Sequence, residues 1–97
     1  MPGSKGVSLT DEQFRSISRA LADPRRHQIL EQIGEAKTSL PCCKMRDGLC
    51  ISAATLSHHM KELETAGLVA AIRQGKFVRY SLRRDVLRAY INRLAEI

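Results

Sequence analysis

Ile51-Ser-Ala-Ala-Thr-Leu-Ser-His-His-Met-Lys-Glu-Leu-Glu-Thr-Ala-Gly-Leu-Val69 is the stretch on which the reading of this chain turns. Ser52 has the side chain of an N-cap, and Leu56, Met60 and Leu63 recur at i, i+4 and i+7, the spacing of one buried helical stripe. The opposite side carries Ala54, Thr55, His58, Lys61 and Thr65, which are small or hydrogen-bonding groups with one cation, and acids appear only at Glu62 and Glu64 towards the far end. A face of this kind can enter the major groove of DNA. Ala66-Gly67 closes the helix, because glycine takes the left-handed C′ conformation without a Cβ clash.

Downstream, residues 69–72 and 77–82 are short runs rich in β-branched and aromatic side chains. They flank Arg73-Gln74-Gly75-Lys76, and Gln74-Gly75 suits the two-residue turn of a β-hairpin. The tip then holds Arg73 and Lys76, with Arg79 on the return strand, a basic wing aimed at phosphate or a minor groove. Like charges gathered on one tip repel each other, and a phosphate backbone relieves that repulsion. A final helix is predicted from residue 84 onwards, with Val86, Leu87, Tyr90, Ile91 and Leu94 along one side.

Upstream, Thr10 with Gln13 three residues later forms a capping box, and Leu9 and Phe14 stand where a hydrophobic staple places them. Phe14, Ile17 and Leu21 make the apolar stripe of this first helix. Asp23-Pro24 supplies the N-cap and N1 proline of a second, whose Ile29, Leu30 and Ile33 turn inward before it ends near Gly34. A short third helix is expected over residues 39–46, with Pro41 in its first turn, Leu40 and Met45 on its inner side and Asp47-Gly48 at its end. Joined to the stretch quoted above, it makes helix, tight turn, helix. Residues 1–8 read as a mobile arm with Lys5 within reach of phosphate, and residues 9–97 as one domain. The predicted class is mainly α with a small β-hairpin wing. It is a winged helix-turn-helix of five helices, with the hairpin between the fourth and the fifth.

Bulk properties agree with a nucleic-acid partner. The 97 residues hold 16 Lys plus Arg against 10 Asp plus Glu, a net charge of +6, and the isoelectric point is near 9.7. The excess is uneven: Arg73, Lys76, Arg79, Arg83, Arg84, Arg88 and Arg93 are accompanied over that span by one acid, Asp85. A one-sided basic surface suits a polyanion. So short a chain buries proportionately little of its surface, and the apolar side of the last helix has too little core to cover, so it is expected to pair with a second copy. The N-terminal residues lack the apolar core of a secretion signal, and a cytoplasmic location is expected. No phosphate-cradling glycine loop, His-Glu zinc motif or partnered nucleophile is present, which argues against an enzyme.

On the quoted helix, Ser52, Thr55, Ser57 and His58 are the candidates for contacts to base edges or adjacent phosphates, and Lys61 for phosphate. His59 lies one step round towards the buried stripe and reads as a packing residue. Cys42, Cys43 and Cys50, three in a chain without a secretion signal, are expected to be reduced. Adjacent helical residues point about 100° apart, so Cys42 and Cys43 cannot both face a core, and a first-turn position lowers a thiol pKa. With Cys50 nearby, a three-thiolate site for a soft ion such as As(III), or a dithiol that oxidises, is chemically reasonable. The plain alternative is that all three pack as small hydrophobes. No cofactor is required for DNA binding.

The pattern resembles the ArsR/SmtB winged-helix transcriptional repressors over about residues 10–95. The resemblance rests on Ala20-Leu-Ala-Asp-Pro-Arg-Arg-His-Gln-Ile-Leu30, on the block from Ser52 to Val69, and on Arg73-Gln-Gly-Lys-Phe-Val-Arg-Tyr-Ser-Leu82. It implies a homodimer built from the first and last helices, here Phe14, Ile17, Leu87, Tyr90, Ile91 and Leu94. The dimer binds an imperfect inverted repeat and blocks transcription until an effector weakens its grip. The sensory motifs depart from the family pattern. Where arsenite-sensing members carry Cys-Val-Cys and a further cysteine, the aligned positions hold Pro41, Cys42, Cys43 and Arg46, so only Cys43 matches directly. Zinc sensing by the last helix needs Asp-x-His and a later histidine, but Asp85 is followed by Leu87 and no histidine comes after it. Two further readings remain: a repressor without a ligand, and a small thiol or soft-metal binding protein that uses its winged helix for protein contacts.

Overall fold

The computed structural model of the protein describes residues 8–36, 38–41 and 51–97. Helix α1 spans Asp11–Leu21, α2 Pro24–Glu35, strand β1 Leu40–Pro41, α3 Ala53–Thr65, β2 Val69–Gln74, β3 Phe77–Leu82 and α4 Arg84–Ala95. The arrangement is mainly helical with a small antiparallel sheet. Four helices occur among the described residues, rather than the five expected.

Local chemistry sets the helix ends. Thr10 Oγ1 accepts from the Gln13 amide at 3.1 Å while Gln13 Oε1 accepts from the Thr10 amide at 3.0 Å, the reciprocal capping box. Asp23 Oδ1 caps α2 through the Arg25 amide at 2.8 Å, and Pro24 needs no partner there because it has no N–H. That backbone bond holds the Asp23 carboxyl below its ordinary range. Gly67 has φ +83°. Around it, Leu68 N–H donates to Leu63 O at 3.1 Å and Gly67 N–H to Glu64 O at 3.0 Å, which is a Schellman end for α3. Leu63 and Leu68, the pair whose contact accompanies that motif, are both fully buried.

The expected third helix is corrected at its start. Leu40 and Pro41 are extended and pair antiparallel with Tyr80 and Arg79, giving the sheet order β1-β3-β2. A residue before proline is pushed out of the α region, and proline is tolerated on an edge strand where its missing N–H breaks no ladder bond. Arg79 fixes the strand from the other side: its Nε donates to Ser39 Oγ at 2.7 Å and its Nη2 to Ser39 O at 3.1 Å. The remainder of that expected helix, the turn after it, and Cys42, Cys43 and Cys50 lie outside the described residues, as do residues 1–7 of the expected arm.

The core gathers Ile17 and Ala20 of α1, Ile29, Leu30 and Ile33 of α2, Leu56, Met60 and Leu63 of α3, Ala66 and Leu68 of the link after it, Val69 and Tyr80 of the sheet and Val86 of α4. Helices α2 and α3 thus bury the stripes their periodicity announced, while the last helix places only Val86 of its stripe in the core. One expectation changes. Ile17 is 0% exposed within its own chain, so it stabilises the monomer and is not available to a partner subunit.

Candidate nucleic-acid interface

Helix α3 buries Leu56, His59, Met60 and Leu63 and leaves Thr55, Ser57, His58, Lys61 and Thr65 exposed. The two faces follow from the 3.6-residue repeat: positions 56, 60 and 63 fall on one stripe and 54, 58, 61 and 65 on the other. At the N-terminus, Ser52 Oγ accepts from the Thr55 amide at 3.1 Å and lies 3.0 Å from Thr55 Oγ1, to which it donates. The Ser52 proton is therefore committed to the cap. Thr55 accepts that bond and keeps its own hydroxyl proton for an outside acceptor. Ser57, His58 and Lys61 form no side-chain hydrogen bond or ion pair among the described residues, so none of those residues competes for them.

His59 is buried and sits at the junction of three helices. Its Nδ1 lies 3.4 Å from Arg26 Nη1. Because guanidinium can only donate, Nδ1 is the acceptor and the ring proton is on Nε2. Arg26 also donates from Nε to Ala20 O at 2.8 Å and from Nη2 to Arg19 O at 3.5 Å, satisfying carbonyls at the C-terminal end of α1. One side chain of α2 thus binds the end of α1 to the inner face of α3. Burial holds the His59 pKa below its ordinary value, and the opposing pull of Asp23 is outweighed once Arg26, His58 and Arg25 are added.

The wing follows α3 with three residues between, Ala66 to Leu68. Strands β2 and β3 pair from Val69↔Leu82 to Gln74↔Phe77, so the loop is Gly75-Lys76, one residue later than the expected Gln74-Gly75. Gly75 has φ +62° and no described non-glycine residue, Lys76 included, has positive φ, which excludes a type I′ turn and matches type II′, with glycine first. Lys76 therefore occupies the apex, exposed and without a partner among the described residues. Arg73 is exposed and reaches back to α3, with Nη1 and Nη2 each 3.4 Å from a Glu64 carboxylate oxygen. This hydrogen bond raises the Arg73 pKa further. Such an exposed pair contributes little stability and can be exchanged for a phosphate. Arg79, held by Ser39, is a structural tie between β1 and β3 as well as a cation of the wing.

Helices α1 and α4 lie together at the far side. The Phe14 and Tyr90 rings are 5.0 Å apart between centroids, Ser18 Oγ and Tyr90 Oη are 2.9 Å apart, and Arg93 stands 4.3 Å over the Phe14 ring while its Nη2 donates to Asp11 Oδ1 at 2.6 Å. Beyond this cluster Ile91, Leu94 and Ile97 are exposed large hydrophobic residues. Among the described residues no group of three or more His, Cys, Asp or Glu side chains is placed to hold a metal ion, and no helix is long and apolar enough to cross a membrane.

No family model matches the chain. Curated relatives do. The chain is 33% identical over 86 residues to an uncharacterized HTH-type transcriptional regulator of Methanocaldococcus jannaschii, covering 89% of this chain and 96% of that one. It is 33% identical over 89 residues to the arsenical resistance operon repressor of Staphylococcus xylosus, covering 92% and 83%. Among solved structures, an ArsR family transcriptional regulator superposes with a TM-score of 0.81 at 22% identity, covering 93% of this chain and 91% of that one. A homodimeric winged helix-turn-helix DNA-binding domain from Mycobacterium bovis, described as a possible ArsR-family regulator, superposes with a TM-score of 0.70 at 24% identity, covering 93% and 90%.

Proposed function

This chain belongs to the ArsR family of helix-turn-helix transcriptional regulators, which are not enzymes, and from that premise we propose that it is a homodimeric, sequence-specific repressor of transcription. The observation that carries the proposal is the exposed face of α3, where Ser57, His58 and Lys61 make no side-chain hydrogen bond or ion pair with a described residue and Thr55 is bonded to its cap Ser52, joined through three residues to a hairpin with Lys76 at its apex. Each subunit places α3 in a major groove and its wing on the flanking phosphates, and the two-fold axis of the dimer is matched by an inverted repeat. Thr55, Ser57 and His58 contact base edges or adjacent phosphates and Lys61 a phosphate, while Ser52 acts by holding the first turn in shape. Exposed Ile91 and Leu94, with Leu87, Tyr90 and Phe14 behind them, supply the subunit contact. The names of the Staphylococcus and Mycobacterium relatives, a repressor and a homodimeric DNA-binding domain, support the reading.

Selection of bound duplexes from a random pool tests it, with an inverted repeat as the expected product. Recovery of no preferred sequence removes the specific-repressor reading. Changing His58 to Ala is expected to weaken binding to the selected duplex more than binding to unrelated DNA, and equal losses would show that His58 reads no base.

We further propose that a thiol-directed signal releases the DNA, through Cys42, Cys43 and Cys50. Support comes from the sequence and from the arsenical-resistance name of the Staphylococcus relative. Arsenite or a mild oxidant should dissociate the wild-type complex but leave a variant with all three cysteines changed to Ser bound. A wild type that ignores both reagents assigns the thiols to packing alone.

A further inference from the structure

The chain has four aromatic residues, two Tyr and two Phe, and no Trp. Three are used by the fold: Phe14 and Tyr90 pack on each other, and Tyr80 is buried in the core. The fourth, Phe77, is 73% exposed. It is the first residue of β3, directly after the apical Lys76, and its ladder partner Gln74 does not cover it. Alternation along the strands puts Phe77 on the sheet face opposite Val78 and Tyr80, together with Ile72, which is 42% exposed and lies diagonally across the ladder. The end of a basic hairpin therefore presents an apolar patch to solvent.

Phe77 and Ile72 together place exposed apolar surface beside cations, an arrangement that suits a surface contacted in use. The charge beside it selects the occupant. Lys76 and the exchangeable Arg73 favour a phosphate backbone, and proteins that enter the minor groove combine basic side chains with apolar wedges such as Phe set against base steps. We propose, resting on the DNA-binding reading above, that Phe77 is a DNA contact: its ring enters the minor groove beside the sequence read by α3, with Lys76 on the adjoining phosphate. The contact adds affinity without releasing counterions. It also favours A·T steps, whose narrow groove lacks the guanine amino group.

The test uses Phe77→Trp, which introduces the chain's sole tryptophan at the position in question. Its emission is followed while the full-length protein is titrated with the duplex selected from the random pool, with alternating A·T and alternating G·C duplexes, and with phosphatidylcholine–phosphatidylserine vesicles. Quenching by the selected and A·T duplexes, weaker quenching by G·C, is the expected result. In parallel, Phe77→Gln should weaken duplex binding about tenfold at an unchanged salt slope, whereas Lys76→Ala should lower that slope by about one. If a mobility shift shows the duplex bound while the Trp emission stays constant, Phe77 does not touch DNA and this proposal falls with the repressor reading intact. An emission change produced by vesicles alone, or by raising the protein concentration without DNA, assigns the patch to a membrane or to a second copy and overturns it equally. Absence of any duplex binding defeats the repressor reading first.

Discussion

His59 shows how one side chain can carry both packing and a titration. In the folded chain its Nδ1 faces Arg26, and burial disfavours the imidazolium, so its pKa lies below the ordinary 6.5. The unfolded chain takes up a proton near 6.5 while the folded one resists until lower pH. Stability from this residue is therefore complete above about pH 6.5 and is lost as the pH falls from there through the folded value. Urea midpoints measured from pH 8 down to pH 5 should drop in the wild type and drop less in His59→Gln, whose amide oxygen can accept from Arg26 without titrating. Parallel curves would show that His59 contributes nothing to the acid sensitivity. The burial was legible in the sequence, since position 59 adjoins the stripe of Leu56, Met60 and Leu63. The partner was not, because Arg26 lies on another helix, 33 residues away in the chain. Ile17 was misjudged, and the Ser39 partner of Arg79 was missed, for the same reason: an apolar residue in a stripe and a cation on a wing look alike whether they face a partner, DNA or their own chain.

At the scale of elements, the readable features were those with local causes. Thr10 with Gln13, Asp23 with Pro24, Ser52, and Gly67 each satisfy or end a helix through atoms a few residues away, and all four stand where the sequence placed them. Strand β1 has no such cause. Leu40 and Pro41 are extended because Tyr80 and Arg79 lie beside them, and a proline two residues into a polar segment reads equally well as a helix N-terminus. The hairpin turn was displaced by one position because the choice between Gln74-Gly75 and Gly75-Lys76 depends on the register of the whole ladder. Gly67 gives the prediction that belongs here. A Cβ there meets nothing within 4 Å, so space is not the obstacle, but φ +83° is unfavourable for an L side chain. Gly67→Ala should cost about 1–2 kcal/mol, read as a lower urea midpoint with an unchanged slope. A neutral result would mean that the end of α3 can refold as an ordinary helical turn.

The whole molecule has a Cα radius of gyration of 13.7 Å and a core built from a few residues of every helix. So small an interior leaves little margin, and in the proposed dimer burial of Ile91, Leu94 and Ile97 against a second copy would add to it. Ile91→Glu together with Leu94→Glu should leave the helical circular dichroism in place, because both side chains are already exposed. It should yield single chains in sedimentation and weaken operator binding by roughly a hundredfold or more, since each half-site is then bound alone. A double variant that still sediments as a dimer would move the subunit contact elsewhere. The seam between α1 and α4 is prearranged for that contact: Arg93, Asp11, Phe14, Ser18 and Tyr90 lock the two helices before any partner arrives.

Only Ala66, Gly67 and Leu68 separate α3 from β2, and the Schellman bonds and two buried leucines leave that junction no slack. Helix and hairpin consequently behave as the two fixed jaws of a gauge. A base pair inserted between the sequence gripped by one jaw and the flank touched by the other displaces the flank by about 3.4 Å and turns it about the duplex axis. In the proposed complex the protein can follow only by releasing one of the two, so the distance between them is expected to be the same in every operator even where the bases themselves drift.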